Sequence, residues 1–253
     1  MSDPSREIFD HYKSYYEGKR LADEPLDRVR ALRLERIPRW IEQIPKEARI
    51  LDAGCATGYL LSLLRDSGYT RLSGVDVSAE LVDAARRRLG GQVAVHLSDI
   101  HDFLAGTPDG GFDVILFHHV LEHVPREHTV PLLRELRRCL APGGYLSVKV
   151  PNALCLGAGY ACFVDFTHVV HFTENSLQQV LEAAGFTAKH CVLVQHPPQL
   201  FWSWRHVIRA LLRILNRIRW HVNNVMHRLL YRLVDVFPMP KVFETEIEVL
   251  AQR

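Results

Sequence analysis

Cysteine is scarce in this chain and unpaired in pattern: Cys55, Cys139, Cys155, Cys162 and Cys191 are the five in 253 residues, with no CxxC spacing. An odd, scattered set argues against a disulfide framework and fits free thiols in a reducing compartment. Long apolar runs are missing as well. Nothing approaches the ~18 uninterrupted apolar residues of a spanning helix, because arginine recurs through the most hydrophobic C-terminal stretch. The opening segment MSDPSREIFDHYKSYY has no apolar region of the kind a secretory signal needs, so a cytoplasmic location is expected. Internal repeats and low-complexity segments are absent from the sequence, and so is a strong overall charge, the net value being +2. That balance gives no reason to expect a nucleic-acid partner.

What is present suits a single core. Hydrophobic residues make up 47% and charged residues 24%, a globular composition, and 253 residues fit one α/β domain with an elaboration. From Ile50 onward apolar runs alternate with helical patterns, the βαβ rhythm of a mostly parallel sheet with helices on both faces. Strands are predicted at 48–53, 71–76, 92–97, 112–118 and 144–150, with helices at 58–66, 79–89 and 130–140 between them. A helix over 174–184 enters through Thr173 and ends at Gly185, whose lack of a Cβ suits a left-handed C′ position. A sixth strand follows from Phe186. The final segment KVFETEIEVLAQR alternates apolar and charged residues, which predicts a last strand with one exposed face. Upstream, Leu26, Val29, Leu32, Ile37, Trp40, Ile41 and Ile44 form an apolar stripe. Residues 1–44 are therefore read as a helical cap over the sheet edge or the ligand mouth, and 45–253 as the main domain.

The run ILDAGCATGYL places a buried strand directly before Gly54 and Gly58, the second glycine opening a helix. Such a loop lets backbone N–H groups approach a ligand, and the helix start favours an anionic group. Its spacing is GxxxG rather than GxGxxG, so the nicotinamide fingerprint is missing. Asp76 ends the second strand, where a carboxylate can take both hydroxyls of a ribose. Asp99 follows the third strand, with helix capping as the plainer reading of any aspartate so placed.

Taken in order, ILDAGCATG, GVDVS, LSDI, FDVILFHHVLEHV and LAPGGYLSVKVPN resemble the successive motifs of class I S-adenosylmethionine-dependent methyltransferases over roughly residues 45–195. The resemblance implies a Rossmann-like sheet of seven strands with the last antiparallel, S-adenosyl-L-methionine as cofactor and S-adenosyl-L-homocysteine as product. It places Asp52, Gly54, Ala56 and Gly58 around the methionine part, Asp76 at the ribose, Val77 and Ile100 on the adenine faces and Asp99 at the adenine amino edge. The His118 carbonyl would lie near the methionine ammonium.

Methyl transfer needs the acceptor atom held in line and water kept out, and an alcohol acceptor also needs a base. In an open α/β sheet those groups come from loops beyond the strand carboxyl ends, here with His119 and His123 after strand four, and Asp165, His168 and His171 after strand five. His168 leads as catalytic base because Asp165 is expected to orient it, with His119 and His171 behind. HVLEH also matches the HxxEH string of inverted zinc peptidases, but Pro125 limits any helix there to about one turn. A metal set of His119, His123 and His171 is the alternative; the expectation is no metal. DFTH followed by FTENSLQQVLEAAGF is similar to a branch of methyltransferases of polysaccharide biosynthesis, and HHVLEHV to ubiquinone-pathway O-methyltransferases. The acceptor is accordingly expected to be a hydroxyl of a glycan or lipid-linked saccharide, with a quinone-type phenol as the competing substrate and a cofactor-binding pseudoenzyme as the competing class.

Residues 201–237 stand before the last strand as a helical insertion, with seven Arg, no Lys and Asp235 as the lone acid. Arg205, Arg209, Arg213 and Arg217 recur on one helical face and apolar side chains spread over the other, with Trp202, Trp204 and Trp220 among them. This pattern predicts a helix in the interface of an anionic membrane, a dimerisation hairpin or substrate lid being the plainer reading, and the chain is expected to be a monomer or homodimer.

Overall fold

The structure is a computed structural model that describes residues 37–155, 158–187, 191–194 and 246–253, together with scattered helical positions between 218 and 229. Most of the N-terminal cap (1–36) and most of the 201–237 insertion lie outside the described residues.

Seven strands form one sheet: β1 Arg49–Ala53, β2 Arg71–Asp76, β3 Ala94–Leu97, β4 Phe112–His118, β5 Leu140–Pro151, β6 Cys191–Val194 and β7 Glu246–Gln252. Their order is β3-β2-β1-β4-β5-β7-β6, with β1 to β5 paired in parallel and β7 antiparallel to both β5 and β6. The Rossmann-like expectation, including the antiparallel last strand, holds. After β1 the chain moves outward to β2 and β3 and then returns to β4 on the other side, so the carboxyl ends of β1 and β4 border the crevice where open sheets bind ligands.

Helices α1 Tyr59–Asp66, α2 Ala79–Leu89, α3 Ile100–Ala105, α4 Arg126–Cys139, α5 Ala158–Phe163 and α6 Glu174–Ala183 connect the strands. Two cores result from the period-2 alternation of the strands. Leu51, Ile115, Phe117, Val148 and Val249 pack with α4 and α6 on one face. Ile50, Leu72, Val114 and Leu116 pack with α1 and α2 on the other. Thr173 caps α6 by accepting from the Ser176 N–H, and Gly185 follows it at φ 97°, the left-handed geometry its position called for.

Differences from the sequence reading have local causes. β3 begins two residues later than predicted, after Gly90 and Gly91 both turn at positive φ. Helix α3 was not anticipated; the Asp99 carboxylate starts it by accepting from the His101 N–H at 2.8 Å. α4 starts at Arg126, directly after Pro125. Of the upstream stripe, Leu26, Val29 and Leu32 lie outside the described residues; Arg39–Gln43 form a short 3-10 helix, and Ile37, Trp40, Ile41 and Ile44 pack against the face of the sheet. β7 has no exposed face. It lies inside the sheet, and Glu248 is buried because its carboxylate accepts from Trp40 Nε1 at 3.1 Å and Ser147 Oγ at 3.0 Å.

Candidate active site

The loop between β1 and α1 is shaped by three left-handed residues, Gly54 at φ 86°, Ala56 at 45° and Gly58 at 71°. A Cβ on Gly54 would lie 2.3 Å from the Val120 side chain, so only glycine lets the segment after β4 close on this loop. Asp76, at the end of β2, fixes the loop from the other side. Its Oδ2 accepts from the Ala56 N–H at 2.9 Å and its Oδ1 from the Ser78 N–H at 2.9 Å. Burial raises its pKa, against the lowering effect of those backbone donors. A carboxylate has about four lone-pair sites, so capacity remains for a ribose hydroxyl after these bonds. Asp52 is buried at the end of β1, Val77 is partly exposed beside Asp76, and Asp99 and Ile100 start α3 beyond β3. All nine sequence-assigned cofactor residues therefore stand at the carboxyl ends of β1 to β4, where backbone donors, a half-buried acid and a glycine cradle fit S-adenosylmethionine.

His118 ends β4 with its side chain on the Trp40 side of the sheet. Ser147 Oγ donates to Glu248, so it accepts from the Nε2–H of His118 at 2.8 Å, which fixes that tautomer. Burial drives the His118 pKa down to about 3, and the ring is neutral.

The four acceptor-side candidates are divided between three settings. His119 follows β4 at φ 55°, with Nε2 3.2 Å from Glu246 Oε1 and Nδ1 3.5 Å from Glu122 Oε1. Burial acts to lower its pKa, but the nearby carboxylates of Glu122 and Glu246 outweigh this and raise it to about 9. A ring held protonated at neutral pH is a donor, not a base. Glu246 also pairs with Lys149 Nζ at 2.6 Å and is held ionised, although burial opposes this. His171 stacks edge-on against Phe163 at 5.0 Å between ring centroids, apart from the other histidines. HxxEH does not form a ligand pair on one helix, because His119 precedes the single 3-10 turn Leu121–His123.

The Asp165 carboxylate is engaged by Thr167: its Oδ1 accepts from Thr167 N at 2.9 Å and Thr167 Oγ1 at 2.6 Å, an Asx-type turn. The residue oriented is His123, since Thr167 Oγ1 donates to Asp165 and must accept from the His123 Nδ1–H at 2.7 Å. His123 is neutral, its pKa lowered chiefly by burial. His168 meets it edge-on at 4.7 Å. The two loops are joined by backbone N–H groups of Val169 and Val170 donating to Glu122 O at 2.9 and 3.1 Å. On the outer side of the same segment Phe163, Phe166 and Val169 are 75%, 87% and 51% exposed, while Asp165 and Thr167 between them are buried.

Sequence reasoning missed Glu122, Thr167, Lys149 and Glu246. Glu122 adjoined the marked histidines, and its position in a short apolar turn, VLEHV, was a usable signal. Glu246 had none, being more than 120 residues away in sequence from its partner His119.

A family model described as a methyltransferase domain matches residues 23–190. The chain is 33% identical over 132 residues to a ubiquinone biosynthesis O-methyltransferase of Xanthomonas axonopodis pv. citri, covering 51% of this chain and 53% of that protein. It is 34% identical over 134 residues to a protein of the same name from Thiobacillus denitrificans, covering 51% and 54%. The chain thus spans about half the length of the curated relatives it matches. Its fold is that of a SAM-dependent methyltransferase from Archaeoglobus fulgidus, at a TM-score of 0.65 and 22% identity over 96% of this chain and 100% of that one.

Proposed function

Because the chain belongs to the methyltransferase-domain family, we propose that it transfers a methyl group from S-adenosylmethionine to a hydroxyl of an acceptor that carries a lipid or other apolar portion. The carrying observation is the segment after β5, which turns Asp165 and Thr167 inward toward His123 and leaves Phe163, Phe166 and Val169 exposed on its outer side. One side of a single loop is thereby polar and suited to a hydroxyl, the other apolar and suited to a hydrophobic tail.

The sulfonium cofactor supplies an activated methyl group, and the acceptor oxygen gains it as the proton leaves. Chemistry on this chain reduces to alignment, water exclusion and disposal of that proton. The Gly54 loop and Asp76 hold the cofactor, and the segment after β4 closes on it through Val120. Proton loss occurs at the His123–His168 pair, the neutral ring of His123 being set by Thr167. His119 holds the β4 end against β7 through Glu246.

A phenol is the first acceptor class, in keeping with the relatives named for ubiquinone biosynthesis. A lipid-linked saccharide is the second, supported by the similarity of DFTH and FTENSLQQVLEAAGF to methyltransferases of polysaccharide biosynthesis. Association with the cytoplasmic membrane face fits either acceptor. Ile218, Val222, Val225, Met226 and Leu229 are helical and about half exposed, at spacings that share one helical face.

The test is methyl transfer from labelled S-adenosylmethionine to prenylated catechols and to polyprenyl-linked saccharides in mixed micelles. Methylated product of either class, identified by mass spectrometry, supports the reading, and transfer confined to water-soluble acceptors overturns it. His168→Ala is expected to lower kcat by ~100-fold or more with cofactor affinity retained.

A further inference from the structure

The carboxylate of Glu122 is the least comfortable group among the described residues. It is 2% exposed, and neither oxygen has a hydrogen-bond partner; the nearest cation, His119 Nδ1, stands 3.5 Å off without hydrogen-bond geometry. A buried ionised carboxylate is tolerated when it is paired and hydrogen-bonded or coordinates a metal. His168 presents a second orphan, a buried Nδ1 with no partner. Between them lies His123, whose Nδ1–H is committed to Thr167. One ligand atom from each of Glu122, His123 and His168 lies within 4.8 Å of the other two.

We infer that Glu122, His123 and His168 form a binding site for one divalent ion of the zinc type, with at least one coordination position open. The donor set is one carboxylate and two imidazoles, a combination that suits zinc and its borderline neighbours and is poor for calcium or magnesium, which prefer oxygen alone. Ligand bonds of about 2.0–2.1 Å require ligand atoms about 3.4 Å apart in a tetrahedron, so the three side chains must close in by about an ångström. The χ rotations of a glutamate and two histidines provide that movement, while the loops that carry them stay tied through Glu122 O, Val169 N and Val170 N. An outer shell is already built. Metal-bound histidines usually donate their second ring N–H to an oxygen, and the chain Asp165 to Thr167 to His123 supplies this. The set differs from the one suggested by sequence, since His119 is engaged by Glu246 and His171 stacks on Phe163.

Resting on the transferase reading, the open position would take the acceptor hydroxyl and lower its pKa, so that with the ion bound the proton passes to solvent water and His123 and His168 serve as ligands, whereas the ion-free pair takes the proton directly. Its position just after β4, two residues past the Val120 that packs on Gly54, puts it beside the cofactor loop.

The experiment is metal binding by the full chain, stripped with chelator and titrated with Zn2+ against a chromophoric competitor, and with Co2+ for its visible absorption. One tight equivalent is expected, with low-coordinate Co2+ bands. Glu122→Gln and His168→Ala should each weaken it by at least about 10-fold, and Thr167→Val, which touches no metal, by about 10-fold through the outer shell. His96→Ala should bind as the parent does. Circular dichroism and thermal melts of each variant keep loss of fold apart from loss of a ligand, and Glu122→Gln, which keeps the side chain's size, is the variant least liable to unfold. Absence of a tight equivalent in the folded protein overturns the site, as does tight binding unchanged in folded Glu122→Gln and His168→Ala. Tight binding with no transfer to any acceptor leaves the site standing and defeats the transferase reading, whereas transfer unaffected by chelation removes the ion from the reaction.

Discussion

Asp76 shows how much one side chain carries. Its two oxygens already join the glycine loop to the start of α2, so the group that would hold a ribose is also the group that shapes the loop around it. Asp76→Ala is expected to weaken S-adenosylmethionine binding by about 2–3 kcal/mol, the scale for losing a charged hydrogen-bond partner. Calorimetry checks this, and unchanged affinity would remove Asp76 from the site. Its place beside the glycine loop was legible because an acid that ends a strand just after such a loop leaves a local pattern in the sequence. Asp165 was expected to orient His168; the structure shows the nearer Thr167 N–H and Oγ1 donating to its carboxylate.

Between elements, β4, β5, β7 and the Arg39–Gln43 helix are joined by a line of hydrogen bonds from His118 through Ser147 and Glu248 to Trp40. Its pH dependence follows from His118. In the unfolded chain a histidine titrates near 6.5, whereas in the fold its pKa is about 3, so between those values the unfolded state binds a proton that the folded state refuses. The stability from this link is therefore present above about pH 6.5 and is lost progressively as pH falls toward 3. His118→Gln keeps a donor toward Ser147 and cannot titrate. Denaturant midpoints of parent and variant should diverge between pH 7 and 4, the parent losing more; parallel curves would deny the link.

At the scale of the whole molecule, the proposed membrane association has a direct test, set by the uneven charge of residues 201–237 and the exposed apolar positions from 218 to 229. Co-sedimentation with vesicles containing anionic lipid is expected, weakening with salt and with Arg205, Arg209, Arg213 and Arg217 changed to Glu. A stable dimer that binds no vesicle would instead give this segment to self-association. The sequence by itself determined the strand and helix order and the cofactor loop, because hydrophobic period, glycine placement and strand-end acids act over a few residues and leave a local record. Only the tertiary structure decided which groups meet around His119, His123 and His168. Burial of Glu248 within β7, the capture of His119 by Glu246, and the approach of His168 to Glu122 and His123 join groups about 45 to more than 120 residues apart. Such pairings are fixed by sheet order and loop docking, which no local pattern in the chain records.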